Sequence, residues 1–176
     1  MPEKKNPNQG GKKTSQALGA QIPEYLKRWP GLYMRQGDQI VQALAEDIET
    51  AKSYPGATNK GAVVNGRRIT ILCRKDTYQV GEEVRVIHVL EVLAPGQEIF
   101  IMGPKAVVGE IVDGHPQTPK IADDLGSYDG RVLASPGVDY NYDITTYSFD
   151  RSGLHTITWR LGELLSNTLE LKVVNS

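Results

Sequence analysis

Three kinds of group in this sequence could do chemistry: the histidines His88, His115 and His155, the carboxylates crowded between Asp123 and Asp150, and the thiol of Cys73. Imidazoles converging with a carboxylate would hold a transition metal. No H-x-H or H-E-x-x-H spacing brings any two of these histidines together. Asp123 and Asp124 in IADDLGSYDG, then Asp129, Asp139, Asp143 and Asp150, are hard oxygen ligands around a Gly-bearing loop, a pattern that suits Ca²⁺. The D-x-D-x-D-G order is missing, so Asp123, Asp124 and Asp129 stand as weak Ca²⁺ candidates beside the plainer reading of a solvated acidic loop. Otherwise no cofactor is expected. There is no G-x-S-x-G elbow, and Cys73 lies in an apolar strand pattern with no histidine near it in sequence.

The segment YDGRVLASPGVDYNYDITTY concentrates tyrosines and aspartates. Tyr128, Asp129, Asp139, Tyr140, Tyr142 and Asp143, with His115 from DGHPQTP, are the candidate binding residues, since tyrosine gives contact area at little cost in conformational entropy. A general acid–base pair among them stays open. Tyrosines covering the rim of a sheet is the structural alternative.

These residues must be positioned by extended backbone. In LHTITWRL, His155, Ile157, Trp159 and Leu161 take one side and Leu154, Thr156, Thr158 and Arg160 the other. Alternation of this kind recurs from residue 62 onward, in RITILCR, VRVIHVLEVL, EIFIM, AVVGEIV, RVLA, NYDITTYSF and TLELKVV, with turn signals between most of them. A mainly β protein follows, an antiparallel sandwich of about seven to nine strands. Upstream, DQIVQALAEDIETAK (38–52) spaces its apolar residues for a helix with Asp38 as N-cap. Between tail and helix, IPEYLKRWPGLYM offers Tyr25, Trp29 and Tyr33 for docking on the body or on a partner. The expected organisation is a disordered tail over 1–20, a docking segment over 21–61 and a sandwich domain over 62–176.

A chain of 176 residues can bury a core without staples. Its formal net charge of −1 argues against a duty dominated by polyanions. The cations Lys4, Lys5, Lys12, Lys13, Lys27, Arg28 and Arg35 outweigh Glu3 and Glu24 at the N-terminal end, but no aromatic stacking platform accompanies them and no nucleic-acid role is expected. One cysteine, no apolar h-region and no membrane-length apolar run point to a cytoplasmic location.

Three passages carry a family resemblance. RKDTYQVGEEVRVIHVLEV resembles the passage from the first to the second strand of an immunoglobulin-like β-sandwich of the bacterial, disulfide-free kind. FDRSGLHTITW resembles the corner before its penultimate strand, and SNTLELKVV its closing strand. The likeness spans about residues 68–174 and implies an architecture and no activity. It also implies a role for His155: in such folds a corner tyrosine bonds back to the backbone, and an imidazole offers the same donor and acceptor. A cupredoxin-like copper site is excluded, because no histidine or methionine closely follows Cys73. The function expected is a non-enzymatic binding or accessory module meeting a protein partner through its loop ends over 113–143. A small enzyme or ligand-binding protein with a pocket there is the alternative, and a protease-inhibitor-like sandwich a further one.

Overall fold

The computed structural model describes residues 21–120 and 131–176. The expected disordered tail, Tyr128 and the Ca²⁺ candidates Asp123, Asp124 and Asp129 lie outside the described residues. The strands are β1 (Tyr33–Gln36), β2 (Gln39–Gln42), β3 (Arg67–Leu72), β4 (Thr77–Gln79), β5 (Val84–Val92), β6 (Glu98–Phe100), β7 (Glu110–Val112) and β8 (His115–Pro116). They continue as β9 (Val132–Ala134), β10 (Gly137–Asp139), β11 (Thr145–Tyr147), β12 (Gly153–Leu161), β13 (Leu164–Leu165) and β14 (Leu169–Val174), and an α-helix, α1, covers Ala45–Lys52.

Two sheets form the body. In the first, β5 pairs with β3 along one edge and with β10 and then β11 along the other, all antiparallel. In the second the order is β4-β14-β12-β7-β8, with β13 folding back on β12; only the β14–β4 pair is parallel. Alternation decides what meets in the middle. Ile69, Ile71, Val84 and Val86 project from the first sheet onto Ile157, Trp159, Leu171 and Val173 of the second, all within 2 % of full burial. In β14 the expected pattern holds: Leu171 and Val173 are buried while Glu170 and Lys172 are exposed. The fold is thus mainly β and antiparallel, a two-layer sandwich.

The central strand β5 is buried on both faces, which explains its nearly continuous apolar sequence. Its outer residues Ile87 and Val89, with Leu72 of β3, lie under Leu26, Leu32, Ala51 and Tyr54 of the N-terminal segment. Glu91, fully buried on that face, accepts hydrogen bonds from the hydroxyls of Tyr25 (2.8 Å) and Tyr54 (2.7 Å) and from Arg68 Nε. Burial, a coulombic effect second to it in the case of Tyr54, and these bonds push the Tyr25 phenol up to about 12 and the Tyr54 phenol higher still.

The helix differs from expectation at its start. Gly37 (φ 63°) and Asp38 make a two-residue turn that pairs Tyr33–Gln36 with Gln39–Gln42, so Ile40 and Val41 belong to a strand and Asp38 caps nothing. A glycine at the first turn position suits the twist of a hairpin, and the pairing outcompetes a helix whose apolar stripe would find no cover at Ile40 and Leu44, both 44 % exposed. The remaining two turns are held from outside: Ala51 is fully buried, and Asp47 receives Arg85 Nε and Nη2 at 2.8–3.1 Å.

The edge formed by β10 and β11 carries a bulge that matters below. Asp139 faces Leu90 and Thr145 faces Val86, so six residues of one strand span four of the other. The surplus arches Tyr140–Ile144 away from β5 opposite His88, and backbone bonds between Lys105 and Asn141 and between Lys105 and Asp143 support the arch.

Candidate functional site

A cleft of about 500 Å³ opens where the two sheets part, between β11 at the edge of the first and the chain after β8 at the edge of the second. Met34 and Arg35 of β1 wall one side, Gln117–Lys120 another, and Asp143–Tyr147 the arch side. Glu110 reaches the cleft although it is 4 % exposed.

Glu110 is the centre of a polar network inside an apolar core. Its Oε1 accepts from Thr145 Oγ1 at 2.9 Å and faces His88 Nε2 at 2.5 Å, and its Oε2 accepts from the Tyr147 hydroxyl. Burial alone would raise the Glu110 carboxyl, but the bond and charge of His88, together with the Tyr147 and Thr145 hydroxyls, outweigh it and hold the group below the usual carboxylate range. The His88 ring stands edge-on to Trp159 at 4.9 Å, and its Nδ1 is buried without a partner among the described residues. With all three donors spent on Glu110, the carboxylate is an ionised anchor and not a proton donor at neutral pH.

The cations of the cleft divide into spent and unspent. Arg85 is saturated by Asp47 and Glu83. Arg35 donates Nε to Asp143 Oδ1 (3.2 Å) and Nη2 to the Pro104 carbonyl (2.7 Å), while its Nη1 is buried without a partner among the described residues. Lys120 is exposed on the rim and has no ion-pair partner among the described residues. Burial lifts the Asp143 carboxyl above its usual range against the pull of Arg35.

The structure separates the binding residues expected from sequence. Asp139, Tyr140 and Tyr142 are not a recognition surface: they are 0 %, 1 % and 7 % exposed. Asp139 Oδ2 holds Lys105 Nζ at 2.5 Å, with that ammonium 4.6 Å above the Tyr142 ring. Tyr140 packs between Trp29 (5.3 Å) and Tyr54 (6.0 Å), and Tyr142 stands edge-on to Trp159 at 5.0 Å. The bulge turns these rings inward, which period-two counting cannot foresee. Of the expected set, only Asp143 lines the cleft among the described residues. His115 sits exposed on the β8 edge and does not line it. Of the docking residues, Tyr25 and Trp29 are half-buried against the body, whereas Tyr33 is 38 % exposed.

His155 acts at the corner. Its ring stacks on Phe149 at 4.1 Å, Nε2 meets the Arg151 carbonyl at 2.9 Å, and Nδ1 meets Asp113 Oδ2 at 2.7 Å. The backbone bond is the one a corner tyrosine would make. Asp113 is placed for this by a type I′ Asp-Gly turn, with φ of 50° at Asp113 and 79° at Gly114. Sequence reasoning missed Arg35, Glu110, Lys120 and the buried role of His88. The one signal was VRVIHVLEVL, where Arg85, His88 and Glu91 interrupt an apolar strand and each needs a buried partner.

Among the described residues no group of three or more His, Cys, Asp or Glu could hold a metal ion, and no helix is long and apolar enough to cross a membrane. No protein-family model matches the sequence, and no curated protein matches it. One solved structure is similar: the CARDB domain of the PF1109 protein from Pyrococcus furiosus, in complex with di-metal ions, at 11 % identity and a TM-score of 0.37, covering 68 % of this chain and 99 % of that one. Nothing of that domain's ligands is carried to this chain at so distant a likeness.

Proposed function

We propose that the protein is a non-enzymatic binding module and that its ligand site is the cleft between β1, β11 and Gln117–Lys120. The observation that supports this is an open cleft of about 500 Å³, within the range of small-molecule sites, lined by the apolar side chains of Met34, Val107 and Ile144 beside the charged ones of Arg35 and Lys120. Tyr140 and Tyr142, first expected to meet a protein partner, are inside the molecule, which weakens the argument for a loop-end protein interface. An enzymatic reading gains little, because Glu110 is saturated by three donors and His115 stands outside the cleft.

The test is an amide-shift titration of ¹⁵N-labelled protein with 3-phenylpropionate, 3-phenylpropanol and 3-phenylpropylamine. Saturable shifts centred on Thr118, Ile144, Thr145 and Thr146 are expected with at least one of them. Shifts only elsewhere, or none, would remove the cleft as the site.

A further inference from the structure

Two walls of the cleft are edges of extended chain. Successive side chains of such a chain point to opposite sides, so consecutive residues all line a cleft only where it follows the edge of the strand. Residues 143–147 line this one without a gap on one wall, and residues 117–120 on the other. β11 pairs with β5 on one side, and on its other side no described residue hydrogen-bonds its backbone. The remaining outer edges of the two sheets each carry a blocking device. Along β3 the Asn167 side chain accepts from the Ile71 amide at 2.8 Å and donates to the Ile71 carbonyl at 3.0 Å. At the end of β4 the Glu82 carboxylate accepts from the Gln79 amide at 2.8 Å, and β8 ends in Pro116, which has no N–H to offer. β11 has none of these: its residues Thr145, Thr146 and Tyr147 are uncharged and of β-branched or aromatic type, which favours pairing. Resting on the reading of the cleft as a ligand site, we propose that its ligand is an extended peptide of about five residues, which adds to the free edge of β11 as a further strand.

The reasoning is one of unmet hydrogen bonds. The charged groups lining the cleft ask little of a ligand. Arg85 is held by Asp47 and Glu83, Asp143 by Arg35, and Glu110 by His88, Thr145 and Tyr147, while Lys120 is exposed to water. What stays unmet is main chain. Alternate residues of an antiparallel strand turn N–H and C=O away from the partner already paired, and a peptide backbone supplies acceptor and donor at the matching repeat. A compact small molecule meets such a row at one point only. The β11 of a second copy lies in a recess of its own, behind Met34 and residues 117–120, so two such edges cannot meet. Side chains of the added strand alternate, and one set faces the apolar lining of Met34, Val107 and Ile144, which favours an apolar residue at every second position.

The experiment extends the titration above to the peptide acetyl-SVTVTVS-amide, whose polar and apolar residues alternate, and to two analogues, one N-methylated on its valines and one on its threonines. The parent peptide is expected to give saturable shifts at Thr118 and residues 144–147, with intermolecular NOEs between its α protons and the backbone protons of Thr145–Tyr147. Amide exchange in β11 should slow on binding. N-methylation removes donors and keeps the side chains, so at least one analogue should bind about tenfold or more weakly. Equal binding by all three peptides, or shifts without those NOEs, would mean recognition by side chains and overturn strand addition. Binding centred on Thr77–Gln79 or His115–Pro116 would overturn it as well. Full protection of all three β11 amides in the free protein would show the edge already covered, by the chain itself or by a second copy, and would also overturn it. If the phenylpropyl compounds bind in the cleft and the peptide does not, strand addition falls and the cleft stands. No cleft binding by any of them removes the site itself.

Discussion

At the scale of single residues, two of the molecule's polar clusters carry predictions, the Glu110 network within the core and the His155 corner at the surface. Glu110 accepts from two hydroxyls and faces an imidazole at 4 % exposure, so its removal leaves the buried His88 and the half-buried Thr145 and Tyr147 hydroxyls unpaired. Glu110→Ala is expected to lower stability by about 3 kcal/mol or more, read from urea unfolding; Glu110→Gln, which keeps an acceptor, should cost less. Equal stability of Glu110→Ala and wild type would mean the network is not formed. The His155 corner makes a prediction in pH. Burial lowers the His155 pKa, but the Asp113 bond and the Arg151 carbonyl raise it more, so the folded value lies above 6.5. Its stabilisation is therefore complete below 6.5 and fades as pH rises through the folded value. For Asp113, burial raises and the bonds to His155 and the Thr156 amide lower the pKa, with a net decrease from 3.8. That contribution is present above 3.8 and lost as pH falls through the folded value. Wild-type unfolding midpoints should therefore drop between about pH 6 and 8, and His155→Phe, which can stack on Phe149 but not bond, should flatten that slope. An unchanged slope in the variant would assign the titration elsewhere.

Among the elements, β5 is the strand on which everything else is arranged. One face carries Val84, Val86 and His88 toward the second sheet, and the other carries Ile87, Val89 and Glu91 toward the N-terminal segment. The bulge between β10 and β11 is the second organising feature, since its surplus residues turn Tyr140 and Tyr142 inward and leave Ile144–Tyr147 along the cleft. The second sheet depends on a close approach at Gly109, where φ is +96° and a Cβ would stand 2.0 Å from the Arg160 carbonyl oxygen. That oxygen is backbone and cannot move aside cheaply. Gly109→Ala should cost more than about 1 kcal/mol and loosen the β7–β12 pairing that places Glu110 opposite Trp159. The check is the denaturation midpoint together with amide exchange at Thr158 and Trp159; wild-type protection there would refute it.

On the scale of the whole molecule, the two-layer sandwich carries a third layer, the N-terminal cover. Tyr54, Leu32 and Ala51 are at most 1 % exposed against the outer face of β5. A chain beginning at residue 58 would expose Leu72, Ile87 and Val89 and strand Glu91 with Arg68 as its remaining partner of three. It should lose near-UV circular dichroism and bind ANS as a loosely packed state does; a native spectrum would show the cover to be dispensable. Much of this architecture was legible in the chain itself. The two-residue period of β12 and β14, the apolar run of β5 and the turn signals follow from local sterics and from which side chains leave water, properties each stretch carries alone. Folding added what depends on distant partners. The Gly37–Asp38 turn won Ile40 and Val41 from a helix because pairing with β1 is a tertiary gain. Tyr140 and Tyr142 went inward because a register step on β5 set their direction. The cleft exists because Arg35, Lys120 and Asp143, far apart in sequence, meet at the parting of two sheets, and no local pattern encodes a meeting of that kind.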